Sequence, residues 1–302
     1  MERREKIRIM SQKENIKFAF LGTPQLSAEI LEHLKIQGFL PSIIITNPDR
    51  PQGRKMVVTP TPVKMWAIKN GIQYLQPENL KDSNFIEKLS VDFELFVVVA
   101  YGKILSKEIL SIPKKGTLNI HYSLLPKYRG ASPIESAILN DDRNTGVSIL
   151  LLDEKMDHGP IVAMERLNLT SQMPEFAWPL KASELRSQMN QVAGKLLSEV
   201  IPKWMAGEIN AIPQNHDEAT YTKKFEKEDG LLDLTADPYK NFLKINAFDD
   251  SIGTYFFAEK NDMKIRVIVK DAKFESGRLT LVSVVPEGKK EMPYEVFKKT
   301  LN

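Results

Sequence analysis

Leu95-Phe96-Val97-Val98-Val99-Ala100 sets six apolar residues on consecutive positions. A strand with one wet face alternates apolar and polar, so an unbroken run of this length and β-branched content reads as a strand covered on both faces in a parallel sheet. Working outward, Lys17 to Leu21 and Ser42 to Thr46 are short β-rich runs, and Leu26, Ile30, Leu31 and Leu34 between them repeat at helical spacing. A further helix is expected after Pro62, with Val63, Trp66 and Ala67 on one face, and Val147 to Leu152 reads as another buried strand. This β–α alternation predicts a doubly wound, mostly parallel α/β domain of Rossmann-like type, whose ligands sit at the carboxyl ends of the strands. Gly22-Thr23-Pro24 follows the first strand but opens no Gly-x-Gly-x-x-Gly. A nicotinamide cofactor is therefore not expected, and the segment reads as a tight turn with Thr23 as N-cap and Pro24 as first helical residue.

Asn119-Ile120-His121, followed by Tyr122-Ser123-Leu124-Leu125-Pro126-Lys127-Tyr128-Arg129-Gly130, carries the strongest chemical signal. On a strand, alternate side chains share a face, so Asn119 and His121 point one way and Ile120 the other. An amide N–H can hold a developing oxyanion, and an imidazole can accept or relay a proton near neutral pH, the two needs of acyl transfer to an amine. Pro126 and Gly130 end the strand and open a loop carrying Lys127 and Arg129. The acidic loop Asp153-Glu154-Lys155-Met156-Asp157 closes in His158-Gly159-Pro160, a sharp turn able to hold Asp157 rigidly. A carboxylate there can set the tautomer of His121 and stabilise its cation. On residue types alone a structural histidine remains the commoner case.

The segments taken together narrow the choice. Gly22-Thr23-Pro24, Asn47-Pro48-Asp49-Arg50-Pro51, Thr61-Pro62-Val63-Lys64, Val99-Ala100-Tyr101-Gly102-Lys103-Ile104-Leu105, Asn119 to Pro126 and Met156-Asp157-His158-Gly159-Pro160 resemble, in order and spacing, the formyltransferases that use 10-formyltetrahydrofolate. Among these the chain is similar to the methionyl-tRNA formyltransferase family, from about Lys17 to Lys299 and more strongly up to Ile201. The resemblance implies transfer of a formyl group from 10-formyltetrahydrofolate to the α-amine of initiator methionyl-tRNA. It implies a catalytic trio at Asn119, His121 and Asp157, in which Asn119 and protonated His121 stabilise the tetrahedral oxyanion and Asp157 holds His121. It also implies folate contacts at Lys103, Ile104 and Leu105, at Ser123, Leu124, Leu125 and Pro126, and at Asp153, with no metal required.

Between Arg50 and Pro77 the chain carries Arg50, Arg54, Lys55, Lys64 and Lys69 and no acid, although the whole protein is only +3. Gly53 and the flanking prolines give its start the look of an extended loop, and local positive charge suits the docking of a nucleic-acid end through its phosphates. The resemblance implies that this loop contacts the tRNA acceptor arm, through Arg50, Arg54 and Lys55.

At 302 residues there is room for a catalytic domain, expected at 16–203, a linker at 204–219 and a smaller domain at 220–302. The absence of cysteine excludes disulfides, thiolate metal sites and cysteine nucleophiles. No apolar stretch reaches the roughly 18 residues of a membrane span and no signal peptide is evident, so a cytoplasmic protein is expected; a monomer is expected as well. Residues 1–15 read as a charged, frayed arm within which Met10 offers an alternative start.

After Tyr221 come three β-rich runs, Gly253 to Ala258, Lys264 to Val269 and Leu279 to Val284, which predict a small barrel or sheet of the oligonucleotide-binding type. The resemblance implies a tRNA-contacting domain here, yet Ala247-Phe248-Asp249-Asp250-Ser251-Ile252-Gly253 lacks the Asn-Pro-Trp-Pro usual after the corresponding phenylalanine. From Tyr221 onward 15 Lys/Arg stand against 14 Asp/Glu, so no basic surface follows from composition. Two other readings stay open: the same donor with an amino sugar nucleotide or glycinamide ribonucleotide as acceptor, and a non-catalytic RNA-binding protein on a degenerate fold. The basic loop and the C-terminal region oppose the first. The intact trio opposes the second.

Overall fold

The computed structural model describes residues 16–53, 56–90, 92–167, 169, 178–260 and 263–301, so the expected N-terminal arm lies outside the described residues. Contacts divide the chain into two units, one within residues 1–129, 146–167 and 189–219, the other within 130–145, 168–188 and 220–302.

The first unit contains β1 (Phe18–Gly22), β2 (Ile43–Ile45), β3 (Arg50–Gln52), β4 (Val57–Thr59), β5 (Tyr74–Leu75), β6 (Leu95–Val99), β7 (Thr117–His121), the start of β8 (Arg129–Gly130), β9 (Gly146–Leu151) and β10 (Ile161–Arg166). Seven of them form one sheet in the order β10-β9-β7-β6-β1-β2-β5. From β7 to β5 the neighbours are parallel, and β9 and β10 complete the sheet in antiparallel fashion. All five residues of β1 and all five of β6 are buried. That is the burial the run at Leu95 predicts, because helices cover both faces of such a sheet. Ala19, Leu21, Ile43, Ile45, Phe96 and Val98 make one side of the interior with Phe85 and Leu89 of the helix at Ser83–Leu89. The chain leaves β1 toward β2 on one side and enters β6 on the other, so the topological switch point lies at the carboxyl ends of β1 and β6.

Helix α1 (Gln25–Ile36) starts one residue later than the sequence suggests: Pro24 is the N-cap, and the Thr23 hydroxyl donates instead to the Tyr101 carbonyl at 3.2 Å. Gly22 is required by close approach rather than by turn geometry, since a Cβ there would lie 2.8 Å from the Ser27 Cβ and 3.0 Å from the Val99 carbonyl. Helix α2 (Pro62–Asn70) opens as expected, with Thr61 accepting from the Lys64 N–H, and buries Val63, Trp66 and Ala67. With the Ser83–Leu89 helix taken as α3, α4 (Lys107–Leu110) follows β6. The segment read as an extended loop is a hairpin: β3 and β4 pair Arg50 with Thr59 and Gln52 with Val57. Arg54 and Lys55 lie outside the described residues.

The second unit holds α5 (Pro133–Leu139), the first turns of α6 (Ala182–Met205), β11 (Tyr221–Thr222), α7 (Pro238–Ala247), β12 (Thr254–Lys260), β13 (Met263–Glu275), β14 (Arg278–Pro286), β15 (Met292–Pro293) and α8 (Tyr294–Lys298). β12 to β15 form an antiparallel meander in sequence order, as the three β-rich runs predict. Its interior is built from Phe256, Val267, Val269, Leu281, Val284, Ile245 of α7 and Phe297 of α8. Where the usual Pro-Trp motif is missing, Asp249 accepts from the Ser183 N–H and hydroxyl. Asp250 next to it takes both the Nε and Nη2 of Arg186, whose Nη2 also reaches Glu135 at 2.9 Å. Two acids thus tie the end of α7 to the start of α6 and, through Arg186, to α5.

Candidate active site

β7 lies between β6 and β9, with Asn119 opposite Val98 on one side and Leu150 on the other, and His121 opposite Ser148. Leu118 and Ile120 are buried and hold the strand in the sheet, which leaves Asn119 half-buried near its carboxyl end. Among the described residues no hydrogen bond engages the Asn119 side chain. His121 is buried at 5 % exposure. Nε2 donates to the Tyr128 carbonyl at 2.8 Å, and Nδ1 faces the Asp157 carboxylate at 3.6 Å. A carbonyl only accepts, so in the neutral ring the hydrogen sits on Nε2 and the lone pair on Nδ1. A proton arriving at Nδ1 therefore lands between the ring and a carboxylate.

The loop after β7 is pinned by a serine pair. The Ser148 hydroxyl donates to the Ser123 carbonyl at 2.7 Å and accepts from the Leu125 N–H, while the Ser123 hydroxyl donates to the Lys127 carbonyl at 2.6 Å. Ser123 and Leu125 are buried, and Leu124 and Pro126 are half-buried. The end of β7 is tied down by the Tyr122 hydroxyl, which donates to Asn190 of α6, whose amide in turn donates to Glu29 of α1. Asp153 accepts from His158 at 2.6 Å, which closes the turn that carries Asp157. Asp157 adopts φ 47°, and a Cβ on Gly159 would lie 1.8 Å from the Leu151 carbonyl, so the turn admits no side chain there.

At the carboxyl end of β6, Ile104 is 89 % exposed and Leu105 is in the core. Lys103 Nζ donates to the Pro77 and Glu78 carbonyls, and burial holds its ammonium below the ordinary lysine value. Arg50 is engaged by Glu78 at 2.6 Å, and Lys64 by Asp49 at 2.6 Å. Acids just outside the acid-free segment thus take up two of its five cations. The hairpin instead presents Met56, Val57 and Val58, each at least 59 % exposed. Among the described residues no group of three His, Asp or Glu side chains is placed to hold a metal ion.

Three polar residues at the site carry no local sequence signal. Arg129, read from the sequence as a loop cation, is 1 % exposed. Its Nε and Nη2 donate to Gln214 Oε1, and Nη2 also reaches His216 Nδ1 at 2.8 Å. The His216 ring stacks on His158 at 4.1 Å. Gln214 and His216 come from the stretch read as a linker, and only the three-dimensional contact reveals them.

The chain matches the formyl transferase family model over residues 16–201. The methionyl-tRNA formyltransferase of Chloroflexus aurantiacus is 40 % identical over 251 residues, 83 % of this chain and 79 % of that one. That of Herpetosiphon aurantiacus is 36 % identical over 300 residues, 92 % of this chain and 95 % of that one. Among solved structures, an N-formyltransferase from Helicobacter canadensis in complex with folinic acid and dTDP-3-aminofucose superposes with a TM-score of 0.60 at 18 % identity, over 86 % of this chain and 89 % of that one; at that identity it shows the fold alone. With a family model over most of the chain and two relatives aligned over 79 % and 95 % of their length, this chain belongs to the methionyl-tRNA formyltransferase family of formyl transferases.

Proposed function

We propose that this chain transfers the formyl group of 10-formyltetrahydrofolate to the α-amine of initiator methionyl-tRNA, giving N-formylmethionyl-tRNA for translation initiation in the cytoplasm, and that it works as a monomer. The observation that carries the chemistry is an amide, Asn119, that no hydrogen bond engages among the described residues, on the same strand as an imidazole whose lone pair at Nδ1 faces a carboxylate. Folate supplies the formyl group. Asn119 Nδ2 donates to the formyl oxygen as negative charge gathers there, His121 Nδ1 takes the proton released by the attacking amine and returns it to the folate nitrogen as the bond between that nitrogen and the formyl carbon breaks and tetrahydrofolate leaves, and Asp157 stabilises the intervening imidazolium. Both ring nitrogens are directed at protein acceptors in this structure, so the oxyanion falls first to Asn119.

Ile104 offers an apolar side chain for a flat heterocycle at the strand end, with Lys103 and Leu105 fixing the backbone on either side. The loop at Ser123, Leu124, Leu125 and Pro126, together with Asp153, completes the folate contacts in this assignment. Arg50, Arg54 and Lys55 take the acceptor-arm phosphates, Arg50 by exchanging its exposed pairing with Glu78 for a phosphate. Residues 16–203 carry the chemistry, 204–219 link, and 220–302 add tRNA contacts. Relatives named methionyl-tRNA formyltransferase, at 36–40 % identity, support this acceptor over an amino sugar nucleotide, the ligand of a neighbour at 18 %.

The test is formyl transfer by the purified chain to Met-tRNA and, in parallel, to a dTDP-amino sugar, with 10-formyltetrahydrofolate as donor. Formylated Met-tRNA is the expected product. Formylation of the sugar nucleotide alone overturns the assignment.

A further inference from the structure

Gln214 lies in the segment that follows α6 and is 6 % exposed, yet its side-chain amide has no spare capacity. Its Nε2 donates to two carbonyls, of Asp157 at 2.9 Å and of Gly159 at 2.7 Å, and its Oε1 accepts twice from Arg129. An amide has two hydrogens and two lone pairs, and all four are used. Guanidinium cannot accept, so Oε1 must face Arg129, which leaves the NH2 facing the two carbonyls. Next to it, Ile212 and Ile161 exchange backbone hydrogen bonds at 2.8 and 2.7 Å, which seat the segment along the start of β10. The two carbonyls that Gln214 holds flank His158, and Asp157 there has a left-handed backbone, φ 47°, that an aspartate keeps only when its surroundings fix it.

We propose that Gln214, locked by the buried Arg129, is a positioning residue for the reaction: it holds the Asp157–Gly159 turn so that the Asp157 carboxylate faces His121 Nδ1. The segment after α6 is thereby part of the active-site support and more than a tether. The inference rests on the acyl-transfer reading of Asn119, His121 and Asp157.

The test is a double-mutant cycle on the full chain with Gln214→Ala, Asp157→Asn and the pair, and with Leu197→Ala in the fully buried interior of α6 as a stability control. Single-turnover and steady-state formylation of Met-tRNA are measured below the melting point of each variant, and the His121 ring nitrogens are followed by 15N NMR. Gln214→Ala is expected to lower kcat about tenfold, with the Michaelis constant for folate within about twofold, because the defect is one of alignment. In the Asp157→Asn background the same change is expected to add less than about twofold, since both act through one carboxylate. The Nδ1 resonance should shift in Gln214→Ala and stay in place in Leu197→Ala. An equal tenfold loss in both backgrounds, an unchanged kcat, or an unmoved resonance overturns the proposal. The resonance reports on positioning without any acceptor, so inactivity of the wild-type chain toward Met-tRNA with a shifted resonance would sink the acceptor assignment and leave the positioning role standing.

Discussion

Asn119 and His121 sit two residues apart on one strand, and the structure gives them opposite circumstances: an amide with no hydrogen bond among the described residues, and a ring hydrogen-bonded at Nε2 with a carboxylate 3.6 Å from Nδ1. In the proposed reaction the amide acts on charge that appears only during transfer, so its loss should leave folding and donor binding nearly intact and slow the chemistry. Asn119→Ala is expected to lower turnover by about 100-fold or more, and His121→Ala by a similar factor. Asp157→Asn keeps the volume and removes the charge opposite Nδ1, so it should be comparably damaging. Single-turnover rates on proteins with wild-type circular dichroism check this, and near-normal turnover in folded His121→Ala protein would end the mechanism. The pair was legible because strand alternation is a local rule, and Asp157 because turn residues follow it. Arg129 and Gln214 were not: they meet across 85 residues, and a buried polar contact of that span leaves no periodicity in either segment.

At the scale of elements, the parallel strands and α2 followed from apolar runs and capping residues, whereas the hairpin β3–β4 did not. Arg50-Pro51-Gln52 and Val57-Val58-Thr59 show no clean alternation, because the hairpin packs neither face into a core: Met56, Val57 and Val58 remain exposed. Its base is held from outside by Asp49, which accepts from Lys64 of α2 at 2.6 Å and from Gln76 just beyond β5 at 2.7 Å. The Lys64 hydrogen bond first, and the Gln76 hydrogen bond next, keep the Asp49 carboxyl below the usual carboxylate range. A carboxylate whose folded value is depressed binds its proton more readily in the unfolded chain. Its stabilisation is therefore complete above the unfolded value of about 3.9 and is lost as pH falls through the lower, folded one. Asp49→Asn should lower the melting temperature at pH 7, and the gap from wild type should close as pH falls below about 4. A gap independent of pH would mean that the aspartate acts by shape and not by charge.

For the whole molecule, net charge and composition say little, since 42 cations nearly balance 39 acids. The organisation of the interior says more. The second unit takes in residues 130–145 and 168–188 as well as 220–302, a discontinuity no reading along the chain can show, because contacts alone define it. Helix α5 packs against α7 and buries Ile134, Ala137 and Ile138 at 2 % exposure or less. Asp249 and Asp250 secure the same region through Ser183 and Arg186. A chain ending at Lys203 keeps α5, Ser183 and Arg186 and removes α7, so it bares an apolar face and leaves Glu135 and Arg186 without Asp250. Re-exposing two isoleucines and an alanine costs about 4 kcal/mol by apolar area, and each kcal/mol moves the melting temperature of a chain this size by roughly 2–4 °C. Such a chain is expected to melt roughly 10 °C below the full one. It also lacks Gln214, so below its melting point its formylation rate should fall further than that of a chain ending at Ala219, which lacks the same sheet but keeps the amide. Calorimetry and single-turnover assays on the two truncated chains separate these effects. Melting within about 2 °C of the full chain would show that α5 is covered without α7, and equal rates for the two would remove the segment after α6 from the site.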